Sequence, residues 1–141
     1  MKVEARITPD GALIPTLIIC REFSLLRHIY FLIDTGSAIS ALSTKDLGGN
    51  LDYSGFEKKS EAAIGVGGSL KCYLIHNVRL LLFTTEIKWM ELTTFKSMCL
   101  LPPSIDLLTN TRIYLPSIIG RDILGNKLDL YYLRDKVYLE L

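Results

Sequence analysis

From Lys2 onward the chain breaks its apolar residues into short runs, many of them alternating with polar residues and closed by glycine, proline, asparagine or aspartate. That rhythm restricts the chain to β-structure, because successive side chains of a strand face opposite ways whereas a helix repeats about every 3.6 residues. Val3, Ala5 and Ile7 alternate with Lys2, Glu4 and Arg6, and Pro9-Asp10-Gly11 has the chemistry of a turn. A second strand is expected over Leu13–Cys20, connecting through Arg21–Leu26 to a third over Arg27–Ile33. Further strands are expected over Ala38–Leu42, Tyr73–Phe83, Glu86–Met98 and Tyr114–Ile119. A terminal pair, Lys127–Leu133 with Lys136–Leu141, would turn at Arg134-Asp135. Between them Ser43–Gly49 reads as a helical turn and Asn50–Ser60 as a polar loop. Glu61–Leu74 reads as a hairpin with a glycine-rich tip, and Leu101–Thr111 as loop with a turn of helix. A short helix is expected to open at Arg121 and close at Gly125-Asn126.

A chain of 141 residues fits one domain, 1–141. Its 16 Lys and Arg nearly balance 15 Asp and Glu, with no basic run, so no nucleic-acid partner is expected. The apolar share of 49% is large enough that much of it must be buried, in a dry core or against another subunit, which favours an oligomer. The longest apolar stretches, Ala12–Cys20 (interrupted by Pro15 and Thr16) and Leu80–Phe83, fall short of the ~20 residues of a membrane helix. No membrane association is expected. Lys2, Glu4, Arg6 and Asp10 do not make a secretory signal, so the expected setting is a soluble, cytoplasmic one. Three cysteines, Cys20, Cys72 and Cys99, are too dispersed for a zinc site or a disulfide scaffold. They read as buried thiols, and neither a metal nor another cofactor is expected.

Phe31-Leu32-Ile33-Asp34-Thr35-Gly36-Ser37 sets an acid directly after a strongly apolar strand, a costly place for a carboxylate unless its surroundings compensate it. Taken alone it is a strand-end turn in which Asp accepts backbone N–H groups. Two other segments change its weight. Ser117-Ile118-Ile119-Gly120-Arg121-Asp122-Ile123-Leu124 is an apolar pair running into glycine and then Arg-Asp. Ala63-Ile64-Gly65-Val66-Gly67-Gly68 is a glycine-rich hairpin tip. In their order along the chain, acid turn, glycine-rich tip and Gly-Arg-Asp segment, across roughly Ile7 to Leu124, the three resemble the signatures of the retropepsin-like (retroviral-type) aspartic proteases, here in a cellular, prokaryotic form.

The resemblance implies an all-β, single-lobe acid-protease barrel with a flap hairpin and one short helix in the C-terminal half, active as a homodimer, with larger assemblies open. Asp34 would be the catalytic acid. Thr35 would hold the paired turns in register, Gly36 would leave room for the opposing backbone, and Gly120 would pass beneath the active-site loop. Ile64, Gly65, Val66, Gly67 and Gly68 would form the flap over an extended peptide or unfolded protein. Hydrolysis by activated water needs one acid and one base, which two carboxylates sharing a proton supply. The chain has one Asp-Thr-Gly, so the second carboxylate would come from Asp34 of a second copy.

Ser37 replaces the Ala of many viral relatives. A hydroxyl donated to the outer oxygen of Asp34 would favour the ionised form and shift the pH optimum toward acid. The expected activity is endopeptidase cleavage beside apolar residues. The alternative is a catalytically weak or inactive peptide-binding or assembly module on the same fold. Viral relatives also carry a second acid shortly after the signature turn, which pairs with the Arg of the Arg-Asp helix. Here Ala38-Ile39-Ser40 stands in its place, so Arg121 needs another partner and Asp122 is expected at a helix N-terminus. Lys136–Leu141 is expected at the dimer contact.

Overall fold

The computed structural model describes residues 1–48, 52–63 and 69–141. Among the described residues there are twelve strands: β1 (Lys2–Thr8), β2 (Gly11–Cys20), β3 (Leu25–Ile33), β4 (Ala41–Ser43), β5 (Glu57–Ala63), β6 (Ser69–Phe83), β7 (Trp89–Leu101), β8 (Ser104–Asp106), β9 (Thr111–Ile113), β10 (Ile118–Ile119), β11 (Asp129–Tyr132) and β12 (Val137–Glu140). The fold is all-β, as the alternation demands. β2 shows the pattern at its clearest, burying Ala12, Ile14, Thr16, Ile18 and Cys20 while their neighbours stay partly exposed. Thr16 is tolerated inside because its hydroxyl donates to the Ile29 carbonyl at 2.6 Å.

Six strands close a barrel in the order β2, β3, β10, β4, β7, β6 and back to β2. Closure removes the open edges that a sheet would otherwise present. Its interior is filled by Ile14, Ile18, Phe31, Leu42, Ile75, Leu80, Leu82, Leu100 and Ile119. From β2 a flanking arm continues through β1 and β12 to β11, and β5 lies outside β6. A smaller apolar cluster of Ala41, Cys72, Cys99, Leu101 and Ile118, with Leu32 and Ile39 packed against it, lies apart from the main core.

Several expectations need correction. No helix forms after Arg121. Leu124 N donates to Gly120 O and Lys127 N to Ile123 O, but the chain leaves helical geometry at Gly125, where φ is +80° and the N–H turns to Leu128 O. The result is a string of turns, because a glycine in the left-handed region ends a helix after one turn. Leu101–Thr111 is not loop with a helical turn: it contains most of a β8–β9 hairpin, separate from the barrel sheet. Its tip is set by the Asp106 carboxylate accepting from Leu108 N at 2.9 Å and by Asn110 at φ +54°. Only Ile118–Ile119 of the strand expected over Tyr114–Ile119 is extended, and only Ala41–Ser43 of Ala38–Leu42 with its following serine. The polar segment 50–60 contributes Glu57 onward to β5. β5 and β6 pair antiparallel as the flap hairpin requires, but its tip, Ile64 to Gly68, lies outside the described residues.

Candidate active site

The candidate site is built where β3 runs out of the barrel. Leu32 N donates to Ser117 O at 2.8 Å and Asp34 N to Ile119 O at 3.0 Å, so β10 holds the approach to the turn by parallel pairing. The chain then reverses. Gly36 N donates to Asp34 Oδ1 at 3.0 Å and Ser37 N to Asp34 O at 3.2 Å, a turn that aspartate followed by glycine forms readily. A half-buried carboxylate is thereby given one backbone donor, and its second oxygen accepts nothing from the described residues. Thr35 is exposed, and its hydroxyl has no partner among the described residues of its own chain.

Beneath the turn, Gly120 is pressed against the returning chain. A Cβ there would lie 2.4 Å from Ile39 O, 2.6 Å from Ile39 C and 2.9 Å from Ser37 O. These are backbone atoms and cannot swing aside, so only glycine allows the two segments to cross so closely. The crossing is then tied. Ser40 Oγ accepts from Gly120 N at 3.0 Å and donates to Asp122 Oδ1 at 2.6 Å, while Ser40 N donates to Asp122 Oδ2 at 2.9 Å. Arg121 N donates to Ser37 O at 2.9 Å, and its guanidinium reaches Thr35 O at 3.1 Å and Gly36 O at 3.4 Å. Arg121 therefore finds its partner in the carbonyls of the turn itself.

Two expected roles change. Ser37 is fully buried and its hydroxyl donates to Ile39 O at 2.7 Å, so it braces the loop instead of serving the Asp34 carboxylate. Asp122 caps no helix and clamps Ser40 across the crossing. Sequence reasoning also passed over Ser117, whose hydroxyl donates to Asp46 Oδ2 and accepts from Ser43 N at 2.9 Å, fixing the far end of the same loop. The only signal for these was polar residues inside apolar stretches, which mark a buried hydrogen bond without naming its partner.

Asp34, Thr35, Gly36, Ser37 and Gly120 thus come together in one tight unit, while Ile64 to Gly68 fall outside the described residues. Among the described residues no group of three or more His, Cys, Asp or Glu is placed to hold a metal ion, and no helix is long and apolar enough to cross a membrane. A lone carboxylate can act as base or as acid at one moment, not both. Neither a protein-family model nor a curated protein matches this chain by sequence.

Proposed function

We propose that the protein is a homodimeric aspartic endopeptidase in which the Asp34 carboxylates of two copies share one proton and activate a water between them. The observation that carries this reading is a single acid turn, braced from beneath by Gly120, Arg121 and the Ser40–Asp122 clamp, that presents a half-buried carboxylate beside an exposed threonine. So much bracing fits a turn that must meet a second one in fixed register. Placed about the two-fold axis of a dimer, each turn would find its complement in the other. Two carboxylates about 3 Å apart cannot both ionise readily, so one accepts the water proton and the other protonates the leaving nitrogen.

Substrate would lie extended beneath the β5–β6 hairpin, pairing its backbone as an added strand, with apolar residues favoured beside the scissile bond. Digestion of a peptide library at several pH values tests this. Wild type should cleave, a statine-type mimic of the tetrahedral intermediate should inhibit, and Asp34→Asn should abolish cleavage. Equal cleavage by Asp34→Asn sinks the proposal. Peptide binding without cleavage in the wild type would leave a binding module in its place.

A further inference from the structure

We propose that Cys72 and Cys99 form a reversible oxidation site, a pair of thiols that peroxide converts into a disulfide between β6 and β7. Their Sγ atoms stand 2.9 Å apart, and both side chains are buried. Cys99 faces Leu74 and Leu100 faces Tyr73 across the ladder, which puts Cys72 diagonally across from Cys99. A disulfide measures about 2.05 Å, so each sulfur needs to move only roughly half an ångström.

An oxidant has a way in. A solvent-open cavity of about 330 Å³ is lined by Cys99 together with Ile39, Ser40, Leu74, Met98 and Asp122. Of the two cysteines, Cys99 is the one that lines this cavity. As the thiolate it attacks one peroxide oxygen, the O–O bond breaks, and hydroxide leaves a sulfenic acid. The Cys72 sulfur then attacks the Cys99 sulfur and displaces its hydroxyl. The two thiol protons end in water, so two thiols and one peroxide give one disulfide and two waters. A small thiol reverses the step by two exchanges. Cys20 offers no such chemistry: it is fully buried, and its thiol donates to His76 O at 3.8 Å.

The pair lies in the small cluster that also contains Ala41 and Ile118, with Leu32 and Ile39 packed on it. Those residues flank the Asp34 turn, so drawing β6 toward β7 there repacks the base of the candidate site. This inference goes beyond the endopeptidase reading and stands without it.

The full-length chain should be treated with hydrogen peroxide, quenched, denatured, alkylated with iodoacetamide and mapped by mass spectrometry. Alkylatable thiols should fall from the three of the sequence to Cys20 alone, with a linked Cys72–Cys99 peptide, and dithiothreitol should restore all three. Cys20→Ala should still form the link. Cys72→Ala should halt at an oxidised Cys99, and if that variant does not fold, the wild-type peptide map decides. Three alkylatable thiols at peroxide levels that oxidise glutathione, a link through Cys20, or unlinked Cys99 sulfinic acid in the wild type would each overturn the site. Amide exchange over residues 37–41 should differ between the two redox forms, and identical exchange would overturn its connection to the loop.

Discussion

Gly120 sets how closely two backbone segments cross beneath Asp34. A methyl group 2.4 Å from the Ile39 oxygen cannot be accommodated without moving the loop. Gly120→Ala should lower stability by about 1–3 kcal/mol, the usual range for overpacking, and should reduce activity further than that loss explains. Urea denaturation and peptide cleavage on the same preparation check both. Ser37→Ala should now loosen the loop without displacing the pH–rate profile, because the hydroxyl serves Ile39 O and not the carboxylate. A shifted profile in a folded Ser37→Ala variant would restore the original expectation of a hydroxyl aimed at Asp34. Asp34 and Gly120 were legible because each is marked by its immediate neighbours. Ser40 and Asp122 were not, since their bond spans 82 positions and nothing local to Ser40 announces it.

At the scale of elements, the long strands could be read from alternation and turn residues, and β1, β2, β3 and the terminal pair lie close to where these place them. The failures share a cause. β4, β8, β9 and β10 have two or three residues each, too few to establish a period, and their extended form is imposed by neighbours or by a turn. The expected helix after Arg121 fails because Gly125 ends it within one turn. The terminal strand also holds the protomer itself together. β12 is hydrogen-bonded on one side to β1 and on the other to β11, and it buries Val137 and Leu139. Both its edges are thus paired within the chain. Truncation after Arg134 should therefore destabilise the protomer itself, by about 1.5–3 kcal/mol for each buried side chain lost. A truncated chain with an unchanged thermal midpoint would contradict this placement.

At the scale of the whole molecule, a closed barrel carries one acid turn on its rim, and the chemistry proposed for it needs two. An apolar share of 49% and an exposed Thr35 fit a surface completed by a second copy. The central claim, that catalysis belongs to a pair of Asp34 carboxylates from different chains, is tested most directly by mixing. Wild type and Asp34→Asn should be combined at fixed total concentration, allowed to exchange subunits, and assayed for cleavage. Mixed dimers hold one carboxylate and should be inert, so activity should fall as the square of the wild-type fraction. A fall in simple proportion, as independent active chains would give, would contradict the account.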